Sequence, residues 1–138
     1  MNTKTGLTVV LLAALAFGAC SSKSAAPAKA IESHRAGNLT VSLLSETDGL
    51  ALGKNNFVVA FRSAEGDKPV DVGTVTVGSS MAMPGMAPMT APIELSPAGE
   101  TGNYRATGEF TMSGAWRFEV RWNGPAGQGS TSFNSNVR

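Results

Sequence analysis

The sequence predicts an all-β domain: an immunoglobulin-like antiparallel β-sandwich of about seven strands, placed after a signal peptide and a flexible tether. Three observations predict it. From Leu39 onward, apolar and polar residues alternate at period two between clusters of turn residues, which is the pattern of half-buried strands. No stretch of that region keeps a helical period over three turns, and the chain carries 16 glycines. Short strands at this spacing in roughly 100 residues suit a two-sheet sandwich. A small closed barrel has the same strand count and stands as the alternative.

Residues 1–19 are expected to be an address rather than part of the fold. Lys4 gives a positive start, Leu7 to Phe17 is apolar or small apart from Thr8, and Gly18-Ala19 precede Cys20. That is the layout of a secretory signal. Eleven helical residues cover about 16 Å, short of a ~30 Å hydrocarbon core, which disfavours a permanent span. Phe17-Gly18-Ala19-Cys20 resembles a bacterial lipobox, with Phe where Leu is usual, so Cys20 is the expected lipidation site and the new N-terminus. It is the single cysteine, so no disulfide can form within the chain, and acylation removes a thiol that would be a liability in an oxidising compartment. Ser21 after the cysteine fits sorting to an outer membrane, if the host has one. Residues 20–36 are rich in Ser, Ala, Lys and Pro without period and are expected to be a lipidated flexible tether. Residues 37–138 form the domain.

Its strands follow in order. Leu39, Val41 and Leu43 share a face. Phe57, Val59 and Phe61 share another, ahead of turn residues Glu65 to Pro69. Gly73, Val75 and Val77 alternate with Val72, Thr74 and Thr76. Ile93 and Leu95 make a short strand, and Tyr104, Ala106, Gly108 and Phe110 alternate with Arg105, Thr107 and Glu109. The clearest strand is Trp116 to Trp122, with four bulky apolar residues on one face and Arg-Glu-Arg on the other. One of the two tryptophans is expected in the core. Asn123-Gly124 suits a tight hairpin turn before a last strand near Ser130 to Asn134.

Charge excludes several function classes. Lys plus Arg number 11 against 10 Asp plus Glu, which gives no basic surplus for nucleic acid and no acidic block for Ca²⁺. His34 is the single histidine and falls in the expected tether, which leaves the domain without an obvious general base. No carboxylate pair stands out, no serine has a visible activating partner, and no Gly-rich loop leads into a helix. The chain is therefore not expected to be an enzyme. Asn38-Leu39-Thr40 fits a glycosylation sequon, which in a bacterial lipoprotein is expected to be chance.

The feature that carries chemistry is Met81-Ala82-Met83-Pro84-Gly85-Met86-Ala87-Pro88-Met89, with four of the chain's six methionines in nine residues and no charge. Pro84, Pro88 and Pro92 lack the donors of a central strand, so this segment reads as an irregular connection at one end of the sandwich. Gly85 permits a tight turn that folds Met83 and Met86 towards each other. A thioether is a soft neutral ligand, and soft ligands select Cu(I). No carboxylate lies between Asp71 and Glu94 to suit a hard cation. The candidate ligands are Met81, Met83, Met86 and Met89. Met112 could join them if it occupies the same end, although taken alone it reads as a core residue. The other reading stands beside this one: Met also fills apolar gaps, and an apolar loop can cap a core or dock on a partner.

Four stretches, in order, carry a resemblance. Leu52-Gly53-Lys54-Asn55-Asn56-Phe57, Met81-Ala82-Met83-Pro84-Gly85-Met86, Gly102-Asn103-Tyr104 and Met112-Ser113-Gly114-Ala115-Trp116 together resemble the YtkA-like domain, related to the FixH group, over roughly residues 50–134. The resemblance implies an immunoglobulin-like sandwich outside the cytoplasm. It also implies a setting near copper handling or respiratory-complex assembly, sometimes beside efflux adaptors. FixH-like proteins carry a membrane helix where this chain has its expected lipid anchor. Two functions follow as expectations. One is an envelope lipoprotein that binds Cu(I) through the methionine loop. The other is a non-catalytic assembly module that contacts an envelope efflux or oxidase-assembly protein without metal. In both, the membrane is reached through Cys20.

Overall fold

The computed structural model describes residues 28–138, so the expected signal segment and Cys20 lie outside the described residues. Nine strands form two antiparallel sheets: β1 Lys29–Ala36, β2 Leu39–Ser45, β3 Gly53–Ser63, β4 Thr74–Met81, β5 Met89–Ala91, β6 Ile93–Pro97, β7 Asn103–Phe110, β8 Gly114–Gly124 and β9 Gly127–Val137. One sheet has the order β1-β2-β3-β7-β6 and the other β5-β4-β8-β9. The chain crosses between sheets at β3–β4, β5–β6 and β7–β8. The result is a sandwich rather than a closed barrel.

The inward faces are those set by the period-two pattern. Trp116, Phe118, Val120 and Trp122 of β8 are buried, and so are Leu39, Val41, Leu43, Phe57, Val59, Phe61 and Phe110 of the facing sheet. Aromatic rings interlock across the two sheets edge to face. Phe110 lies 5.1 Å from Trp116 and 5.7 Å from Phe118, and Phe61 lies 5.5 Å from Trp122. This geometry places a ring's positive edge on another's negative face and adds to the area each ring buries. Both tryptophans, rather than one, are in the core.

The sheets depart from the sequence reading in four places. Residues 29–36, expected as the last part of a flexible tether, form β1 and pair with β2 from Lys29↔Ser45 to Ala36↔Leu39. Lys and Ala lower the strand signal there, but an edge strand with one exposed face needs little hydrophobicity. The half-buried apolar residues of β1, Ile31 and Ala36, pack against the core. His34 is therefore a residue of the domain, exposed on β1 with its ring 4.8 Å from Phe133 of β9. Secondly, Met89–Ala91 is a short edge strand, so the connection between β4 and β6 is partly a hairpin. This strand and β1 are the two beyond the expected seven. Thirdly, the last hairpin turns at Pro125-Ala126, while Asn123 and Gly124 stay paired with Gln128 and Gly127. Finally, Val72 is fully buried although it alternates with Val75 in sequence, because the chain is irregular at Gly73 and β4 begins only at Thr74.

Candidate functional site

The methionine segment leaves β4 at one end of the sandwich and returns as β5. Met81 and Met89 face each other as the last pair of the β4–β5 ladder, after Ser79↔Ala91 and Ser80↔Thr90. Directly opposed residues of an antiparallel pair hold their Cβ atoms about 4.5–5.5 Å apart on the same side of the sheet. Ser79 anchors the base of this hairpin. Its buried hydroxyl donates to the Ala91 carbonyl at 2.7 Å. At the tip the Met86 N–H donates to the Met83 carbonyl at 3.2 Å, and Gly85 holds a φ of 73°. Pro then a positive-φ Gly at the two central positions is the pattern of a type II turn. The tight turn expected at Gly85 is therefore present, and it brings the backbones of Met83 and Met86 together across Pro84-Gly85.

The second wall is the connection from β7 to β8. β4 pairs with β8 up to Ser80↔Arg117, so the end of β4 lies beside the start of β8. The Met81 side chain lies over Gly114. Its sulfur would be 3.7 Å from a Cβ built there, and its methyl group 2.7 Å. The Met89 sulfur accepts from the Thr111 hydroxyl at 3.7 Å. Two thioethers of the hairpin thus reach the four-residue stretch Thr111 to Gly114, which carries Met112. That stretch is pinned from within, because the indole N–H of Trp116 donates to the Met112 carbonyl at 3.0 Å. The Met-Ser-Gly-Ala-Trp motif closes on itself, and its glycine leaves the space that Met81 fills.

All five predicted methionines occupy one end of the molecule. Met81 and Met89 are half-buried and pack against the core. Met83 is half-buried, Met86 is 64% exposed on the turn and Met112 is 37% exposed. Met112 is thus no core residue. It shares the loop's end of the sandwich by position, between Thr111 and Gly114, which meet Met89 and Met81. His34 is distant in topology, since β1 and β9 form the edge opposite β5. The predicted lipidation site, Cys20, lies outside the described residues. Thr111, and the Met81–Met89 cross-strand relation, were missed by sequence reading. A three-residue strand flanked by Pro88 and Pro92 gives no periodic signal.

The donor set fits a soft monovalent ion. Five thioethers carry no charge and take no proton at ordinary pH, and the Thr111 hydroxyl that donates to the Met89 sulfur is neutral. Among the described residues no three His, Cys, Asp or Glu side chains gather as ligands. Zn²⁺ and the hard cations are normally held by such groups.

A family model described as YtkA-like matches residues 33–121, well over half of the chain. The chain belongs to the YtkA-like family. The match takes in the second half of β1 and ends inside β8, so it starts earlier and stops sooner than the motif resemblance. Three of the four motifs have a clear job in this YtkA-like chain. Asn55 bonds Ala51 N and O at 3.0 and 2.7 Å and thereby fixes the entry to β3. Tyr104 donates to the Gly73 carbonyl at 2.8 Å and ties β7 to the approach of β4. The Met112–Trp116 motif builds the wall just described. No curated protein matches the YtkA-like chain significantly by sequence.

Solved structures similar in fold include a DUF4426 family protein from Pseudomonas aeruginosa, at 19% identity and a TM-score of 0.51, covering 77% of this chain and 93% of that one. FetP from uropathogenic Escherichia coli is similar at 10% identity and a TM-score of 0.48, covering 78% and 93%. A copper-bound variant of FetP is similar at 10% identity and 0.43, covering 76% and 93%.

Proposed function

We propose that this YtkA-like domain binds Cu(I) at its methionine end, as a carrier or buffer in the cell envelope, anchored to a membrane through lipid on Cys20. One observation carries the reading. Met81 and Met89 form a cross-strand pair that reaches the same short connection, Thr111 to Gly114, that bears Met112. A hairpin and a connection from distant parts of the sequence thus bring two thioethers, those of Met81 and Met89, against the stretch that bears a third methionine. In this reading Met83 and Met86, on the Pro84-Gly85 turn at the tip of the same hairpin, supply further donors. Thioethers donate weakly, so affinity is modest and release is easy, as a carrier requires. The domain has no catalytic role in this reading.

Chelator competition under anaerobic conditions tests it. The wild-type domain is expected to take up one Cu(I) per chain. The Met81→Leu/Met89→Leu/Met112→Leu variant is expected to lose at least tenfold in affinity while its thermal unfolding stays cooperative. Leu keeps volume and apolarity but removes sulfur, and such exchanges usually cost less than about 1.5 kcal/mol each. Equal uptake by both proteins, or none by either, rejects the reading.

One observation favours the partner-docking alternative: Met86 and Met112 are exposed apolar residues at the same end. Under that reading an envelope efflux or oxidase-assembly protein is retained by the metal-free wild type and lost on Met86→Ser.

A further inference from the structure

Three large apolar side chains are exposed among the described residues: Leu52 at 54%, Met86 at 64% and Met112 at 37%. They come from three separate connections, and all three lie at the methionine end. Leu52 sits one residue before Gly53, which pairs with Phe110 at the entry to the Thr111–Gly114 stretch. Its N–H bonds the carbonyl of Arg138, one residue beyond the end of β9. The opposite end, built by the turns at 37–38, 64–66 and 125–126, exposes no large apolar side chain among the described residues.

The chain also enters the domain at the methionine end. β1 begins at Lys29, paired with Ser45, and the Lys29 ammonium is 3.2 Å from Asp48 in the β2–β3 connection, the same connection that carries Leu52. Eight residues, Ser21–Ala28, separate Cys20 from Lys29. Even fully extended, they hold Lys29 within about 30 Å of Cys20. The eight residues of β1 then carry the chain about 24 Å away, towards the opposite end.

We propose that the methionine end is the face this domain lays on the lipid surface, with Leu52, Met86 and Met112 as the side chains that enter the interface. This rests on the reading that Cys20 is acylated, and it is separate from the copper reading. Single apolar side chains scattered over a surface are ordinary, but these are confined to one end, and it is the end the anchor leads to. Short tethering supplies the high local lipid concentration that three modest contacts need to be occupied.

The test uses the full-length acylated protein in vesicles of phosphatidylethanolamine and phosphatidylglycerol containing a headgroup quencher. A fluorophore is placed on Ala87→Cys, at the tip of the methionine hairpin, or on Ala126→Cys, at the opposite end. Both positions are exposed. Quenching is expected to be several-fold greater at position 87 than at position 126. Adding Leu52→Ser and Met86→Ser, both at exposed positions, is expected to halve the difference at least. Equal quenching at the two positions overturns the proposal. So does a difference that the serine substitutions leave unchanged, which would mean proximity by tether without contact. A purified chain that lacks acyl groups and stays off the vesicles overturns it as well. Cu(I) uptake by the same protein in detergent is scored separately, so the two readings can fail independently.

Discussion

Gly114 holds a φ of 134°, and the place where its Cβ would lie is occupied by the Met81 methyl group, 2.7 Å away. Gly114→Ala therefore asks two things of the chain: a backbone angle that Cβ disfavours, and retreat of the Met81 side chain. The long thioether can move, so the larger cost is the backbone one, about 1 kcal/mol or more. The expected outcome is a small fall in the denaturation midpoint with a larger relative fall in Cu(I) affinity, measured on the same preparation. At the other end of the sandwich, burial and then the charge of Asp71 raise the pKa of Tyr104 above its ordinary value of 10.0. The sign follows. The folded state keeps the phenol protonated longer than the unfolded state does. Its contribution is complete below about pH 10 and is lost as pH rises through the folded-state pKa. Tyr104→Phe is expected to lose the hydrogen bond to Gly73, costing about 1 kcal/mol at neutral pH. It is also expected to flatten this part of the alkaline loss, as urea titrations between pH 8 and 11 would reveal.

The hairpin of β4 and β5 decides whether the methionines act together. Its three ladder pairs are few, and Ser79 adds the buried bond to Ala91. Ser79→Ala is expected to cost about 1 kcal/mol, the usual net worth of such a bond. It should also speed amide exchange across Met89–Ala91 while leaving β8 protected. At the tip, Gly85→Ala meets no neighbouring atom but must hold a φ of 73°. It is expected to weaken the turn by about 1 kcal/mol and to lower Cu(I) affinity if Met83 and Met86 contribute. The element shows what the residues alone reveal. The turn was legible, because Pro followed by Gly has one common use. The strand was not, because β5 is three residues long and its prolines argue against strand. Met112 was misread for a related reason: an isolated methionine before a strand looks like core until the connection that bears it is seen against a second connection.

For the molecule as a whole, the strands with full alternation were legible down to their buried faces, and the sandwich followed from them. β1 was hidden by its composition, since an edge strand with a solvated face reads as tether. A chain cut at residue 37, where the sequence places the domain boundary, is expected to be less stable than one starting at residue 28. It loses the β1–β2 ladder and the packing of Ile31, and it bares the edge of β2. Unpaired edges invite association, so the shorter chain should also aggregate sooner on heating, as light scattering would show. At this scale one proposition matters most: separate connections at one end of the sandwich converge their thioethers on a single ion. Copper K-edge X-ray absorption on the anaerobic Cu(I)-loaded protein tests it most directly. The account predicts a first shell of sulfur alone, with about three scatterers in the wild type and fewer in the Met81→Leu/Met89→Leu variant. A shell dominated by nitrogen or oxygen, or one that the double substitution leaves unchanged, would contradict it.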